Sequence, residues 1–181
     1  MYKNNQELIE AFNCGAKLKY IFFWGHKQPA DGSVNKSCFS QWYPASFEID
    51  GVSYATAEHF MMAEKARCFG DTEMEQKVIS CTCPKEAKAY GRSVKNFDPK
   101  VWNEAGYPAV VRGNIAKFSQ NENMRDVLLE TKNRIIVEAS PLDRIWGIGM
   151  GQSNPQVENP NFWKGHNLLG YALMETRKEL E

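Results

Sequence analysis

The sequence predicts an α+β fold, a single mostly helical domain with a few short strands, and three observations carry that expectation. Apolar residues recur at helical spacing over most of the chain after residue 55. Two short runs near Tyr20 and Ile135, rich in β-branched and aromatic residues, read as strands. Asp50-Gly51, set between Phe47/Ile49 and Val52/Tyr54, marks a tight hairpin. A chain of 181 residues, 43% hydrophobic and 24% charged, is expected to form one core, so residues 1–181 are read as one domain.

Residues 4 to 14 carry a short helical pattern with Leu8, Ile9 and Phe12 on one side. Leu18 to Trp24 is strand-like and Gly25 ends it. His26 to Ser40 has turn composition and little periodicity, and long loops in compact domains are more often functional than idle. After the hairpin over 42–54, Tyr54 to Asp71 reads as one amphipathic helix, capped by Thr56 and ended by Gly70. Thr72 to Ile79 is helical, and Pro84 opens a further helix that Gly91 closes. Asp98 caps a short helix with Val101 and Trp102, and a separate helix runs from Pro108 through Phe118. Asn123 caps Met124 to Thr131. Arg134 to Ala139 is a short apolar strand, Ser140 to Gly165 is turn-rich, and Asn167 starts a terminal helix with Leu168, Leu169, Ala172 and Leu173 on its apolar face.

Charge and composition narrow the function. Lys plus Arg equals Asp plus Glu at 22 each, so no global field draws the protein to a polyanion and nucleic acid would need a local patch. An aromatic content of 12% with five Trp suits a pocket that stacks flat ligands. The amino-terminal residues lack a signal-peptide pattern and no apolar run spans a bilayer, which points to the cytosol and to no membrane partner. The five cysteines lack metal or redox spacing and are read as reduced thiols. The three histidines bring no ligand spacing either, so neither a metal nor a cofactor is expected.

Glu58, Met61, Met62 and Lys65 lie at offsets of three, four and seven, and so share one helix face. An acid and an amine on an apolar stripe are costly to bury without a partner. They are either an ion pair at the rim of a core helix or a catalytic acid and amine. Asp143, Trp146, Gly147 and Gly149 follow the second strand, where loops tend to carry sites. That turn is either structural or a nest of backbone amides for an anionic ligand. Glu58 and Asp143 together make the two carboxylates that glycoside chemistry uses. Lys117 and Asn114 can reach the pocket side of their helix, or Lys117 is solvated or structurally paired.

Several separated motifs occur in order: Tyr54-Ala-Thr-Ala-Glu-His-Phe-Met-Met-Ala-Glu-Lys65, Gly91-Arg92 to Trp102, Ala116-Lys-Phe118 before Gln120-Asn121, Val137-Glu-Ala-Ser-Pro-Leu-Asp143 with Trp146-Gly147, and Asn167-Leu-Leu-Gly-Tyr-Ala-Leu-Met174. Together they resemble the NADAR family, from about Tyr20 to Leu180. The resemblance implies an α+β fold that binds ADP-ribose-like or ribosyl-phosphate ligands and hydrolyses an N-glycosidic bond. By position it implies Glu58 as acid, Lys65 as amine, Trp102 as aromatic, and Asp143 with Trp146 as a second pair. Phe22, Trp24, Ser40 and Trp42 match the region expected to hold the nucleotide. The family's substrates are ribosylamino-pyrimidine phosphates that are early riboflavin intermediates, and ADP-ribose on guanine in DNA. Both carry an exocyclic amine on the anomeric carbon, which suits either an imine on Lys65 or direct displacement by Glu58 and Asp143. A non-catalytic ADP-ribose reader is the rival class, and an interaction protein the third.

Overall fold

The computed structural model describes residues 2–181. At its centre helix α2 (Ala57–Cys68) starts at Thr56, whose side chain accepts the His59 N–H, and stops before Gly70, which takes a left-handed φ of 68°. The expected amphipathic stripe is exceeded: Ala57 through Ala63 and Ala66 are all buried. Helices α3 (Thr72–Ser80), α4 (Pro84–Arg92) and α5 (Pro99–Gln120) pack around it, and a helix enclosed on most sides becomes apolar on most sides.

Before it come α1 (Asn5–Asn13), β1 (Tyr20–Phe23), a 3-10 turn at Lys36–Phe39, and the hairpin β2 (Phe47–Ile49) and β3 (Val52–Tyr54). The hairpin turn is as the sequence demands, Asp50 and Gly51 both holding positive φ. After α5 follow α6 (Glu122–Leu129), β4 (Ile135–Glu138), a 3-10 turn at Pro160–Phe162 and α7 (Leu168–Leu180).

Three element boundaries depart from expectation. The helices on either side of Pro108 are one 22-residue helix, α5, with Pro108 inside it. Pro108 and Glu104, whose carbonyl loses its partner, are both exposed, where water can take that carbonyl. Helix α4 runs through Gly91 instead of ending there, and the glycine serves close packing, since a Cβ would overlap the Met62 side chain. Helix α6 begins at Glu122, two residues before the expected start, and the Asn121 amide donates to Ser46 O and Lys117 O rather than capping it.

The strands β1 and β4 pair in parallel, Phe22 with Val137 and Phe23 with Glu138. Among the described residues no third strand pairs with the far edge of β4. Asn167, fully buried in a left-handed conformation, takes that place with its side chain, accepting the Glu138 N–H at 3.0 Å and donating to Ile136 O at 3.0 Å. Helix α7 closes on the strand here, leaving no room for a Cβ at Gly170 against Ile136 O. Asn167→Ala is therefore expected to orphan two backbone groups and to cost roughly 2 to 6 kcal/mol, at about 1 to 3 for each. Denaturant unfolding checks this, and a loss under about 1 kcal/mol would remove Asn167 as the edge of the sheet.

Candidate active site

Glu138 at the carboxyl end of β4, Asp143 in the loop after it and Glu58 in the amino-terminal turn of α2 lie close enough to act on one another's charge. Glu58, in the first turn of α2, is 5% exposed, and its own N–H donates to Gln41 O at 2.9 Å. Burial pushes its carboxyl above the usual range and Asp143 adds to that push, while Lys88, the Trp42 indole and Arg92 oppose it. The helix amino terminus also favours a carboxylate, so burial prevails against several attractive charges. Glu138, at the end of β4, is a third acid of the group, raised to about 8 by burial first and then by Asp143, with Lys88 opposing and Glu58 adding.

Asp143 is held by its own loop. Its Oδ1 accepts the N–H groups of Ile145 and Trp146, each at 2.8 Å, and of Gly147 at 3.5 Å. Of the two readings open for this turn, the structure takes the structural one: its amides are filled by the Asp143 carboxylate. Gly147 lies against Glu138 O, and Gly149, at a positive φ, donates to Asp143 O; both glycines are buried and shape the turn.

Lys65 and Glu58 are two turns apart on α2, about 10 Å along the axis. They form no ion pair, which removes the reading of a structural pair. The Lys65 ammonium lies 3.9 Å from the centre of the Phe97 ring. Burial and the neighbouring Arg92 both lower its pKa. Arg92 therefore acts on both Glu58 and Lys65, and the site runs from an acidic end under β4 to a basic end beside Phe97.

Among the aromatic candidates, Trp42 is half-buried between His26, 5.6 Å from it ring to ring, and the Lys88 ammonium 5.7 Å above its ring. Ser40 sets that segment by accepting the Trp42 N–H at 3.2 Å. Trp24 is 66% exposed just beyond β1. Trp102 packs over Gly106 and, like Trp146, is half-buried against the core. Phe22 differs: it stacks on Tyr20 on the face of the strand pair opposite Glu138 and belongs to the core.

Lys88, Arg92 and Glu138 were not singled out from the sequence. The available signal was two cations one helical turn apart on α4, and an acid ending an otherwise apolar strand. Lys117 also departs from expectation. It is fully buried rather than solvated, donates to Cys38 O at 2.6 Å and Ser40 O at 2.9 Å, and has no carboxylate partner among the described residues. Burial lowers its pKa to about 8.

A cavity of about 1290 Å³ lies at the other end of the strand pair, lined in part by Leu18, Ile135 and Met174. Arg177 in its wall is taken up structurally, donating to Thr131 Oγ1 at 2.6 Å and to Arg134 O at 2.9 Å. The two carboxyls that burial raises, Glu58 and Glu138, are both at the opposite end, which makes that end the candidate site. No helix among the described residues is long and apolar enough to cross a membrane.

Comparison with known proteins places these residues in a family. The NADAR domain matches residues 22–181. N-glycosidase R617 of Acanthamoeba polyphaga mimivirus is 42% identical over 166 residues, covering 89% of this chain and 96% of its own. N-glycosidase YbiA of Escherichia coli is 30% identical over 78% of this chain and 80% of its own. The NMR structure of the E. coli protein YbiA superposes with a TM-score of 0.71 at 27% identity, over 91% of this chain and 86% of that one.

Proposed function

The chain belongs to the NADAR family, and from that premise we propose that it hydrolyses the N-glycosidic bond between a ribose and the exocyclic amine of a base. The observation that carries this reading is the line of groups from Asp143 through Glu58 and Arg92 to Lys65, with acids at one end and an amine of lowered pKa at the other. Substrates of two kinds suit it: ADP-ribose on guanine in DNA, and ribosylamino-pyrimidine phosphates. Lys88 and Arg92 supply positive charge for a phosphate, and Trp24 and Trp42 supply flat surfaces for a base. Free thiols at all five cysteines fit a cytosolic setting for such substrates.

The chemistry follows from the amine. An N-riboside of an exocyclic amine opens when the ring oxygen takes a proton from Glu58, leaving an imine at C1′. Neutral Lys65 adds to that carbon, the base nitrogen takes a proton and leaves with the electron pair of its bond, and Lys65 is left joined to C1′ as an imine. Water then adds, with a carboxylate taking its proton, and the sugar leaves as the aldehyde that recloses. A lysine beside a second cation and partly desolvated is the kind that does this. Direct displacement assisted by Glu58 and Asp143 is the competing route.

Turnover tests the proposal: an ADP-ribosylated oligonucleotide should yield free ADP-ribose, or a ribosylamino-pyrimidine phosphate should yield ribose 5-phosphate. Tight binding of ADP-ribose with neither product formed would make the protein a reader. For the nucleotide part, Trp24→Ala is expected to weaken ADP-ribose binding by roughly 1 to 3 kcal/mol, the range for a lost stacking partner. Unchanged affinity by calorimetry would place the base away from β1.

A further inference from the structure

Glu138 is the half-buried acid that the steps above leave idle. It ends β4 on the same face as Phe23, and its Oε2 is buried with no hydrogen-bond partner among the described residues. Glu58 faces it from α2, Lys88 from α4 and Asp143 from the loop after β4. From β1 its neighbour is the uncharged Phe23, and from the head of α7 Asn167 binds only its backbone N–H. A carboxylate with an oxygen lacking donors and two other acids nearby gains most by keeping its proton. Glu58 and Asp143 each have something Glu138 lacks, the first a helix amino terminus and the second three backbone N–H groups.

Resting on the reading of N-glycoside hydrolysis, we propose that Glu138 is the proton store of the site, starting each turnover as a neutral acid and relaying its proton through Glu58 and Asp143 to the departing base. The C1′–N bond breaks with its electron pair going to nitrogen, which takes the relayed proton. The oxygen of water ends on C1′, and one of its protons returns along the same carboxylates to Glu138. Acid and base are restored and no co-reactant besides water is used.

Glu138→Gln keeps the shape and neutrality of the acid but has no proton to give. Its kcat is expected to fall about tenfold or more with KM within about twofold, and Glu138→Asp should recover part of the loss. The wild-type kcat should fall above about pH 8 and the Gln variant should lack that limb. A second readout needs no turnover. Folding raises this acid from its ordinary 4.5 to about 8, so its contribution is fully present below 4.5 and is lost as pH rises to about 8. The wild type should therefore lose stability relative to Glu138→Gln between pH 5 and pH 9. An equal stability gap at both pH values, or the same pH profile in both proteins, overturns the proposal. A wild type that shows the widening gap yet turns over no N-ribosyl substrate counts instead against the functional reading beneath it.

Discussion

Glu58→Gln is expected to lower turnover by about a hundredfold or more while the protein stays folded, the usual scale for loss of a positioned acid or base. Glu58 is nearly enclosed, yet among the described residues it forms no ion pair whose partner would be stranded by the change. Its backbone N–H to Gln41 O is kept by glutamine, whose side-chain oxygen can still accept from the Trp42 indole. Burial already works against the carboxylate, so a neutral group of the same shape should leave the melting temperature unchanged or raise it. Activity within a few-fold of wild type would remove Glu58 from the chemistry. A large fall in melting temperature would show that the carboxylate serves the fold.

Lys65→Ala is expected to cost as much, and Lys65→Arg separates the two roles open to this amine. Lys65 sits against Phe97 beside Arg92, and both burial and that second cation enlarge its neutral fraction. An arginine keeps a positive charge for a phosphate but stays protonated and cannot add to an imine carbon. If Lys65 is the nucleophile, the Arg variant should be as inactive as the Ala variant, roughly a hundredfold down or more. Substantial activity in Lys65→Arg would reduce Lys65 to a binding charge.

What the sequence made legible is local. The Asp50-Gly51 turn, the Thr56 cap and the stop before Gly70 each depend on residues within a few positions of one another. Glu58 and Lys65 stood out because two charges on an apolar face contradict the helical pattern. Lys88 and Arg92 gave no such contradiction, since cations on a short helix ordinarily face water, and only the packing of α4 on α2 brings them to Glu58. Glu138 was hidden for a related reason: its environment comes from α2, α4 and a loop, and from a register with β1 more than a hundred residues away. Pro108 misled because its penalty is local while the helix through it is held by packing on α2 and α7. The glycine turn was left open between a structural role and an anion nest, and the structure takes the first, because the amides that could take a ligand are taken by Asp143 four residues or fewer before them.

The most direct measurement is borohydride trapping during turnover, followed by intact mass and peptide mapping. The account predicts a stable adduct, heavier by the ribosyl fragment, on Lys65. It should be absent from Lys117, whose amine also has a lowered pKa but is walled in between two carbonyls. Product accumulating under borohydride with no adduct on Lys65 would contradict the lysine mechanism and leave direct displacement by Glu58 and Asp143.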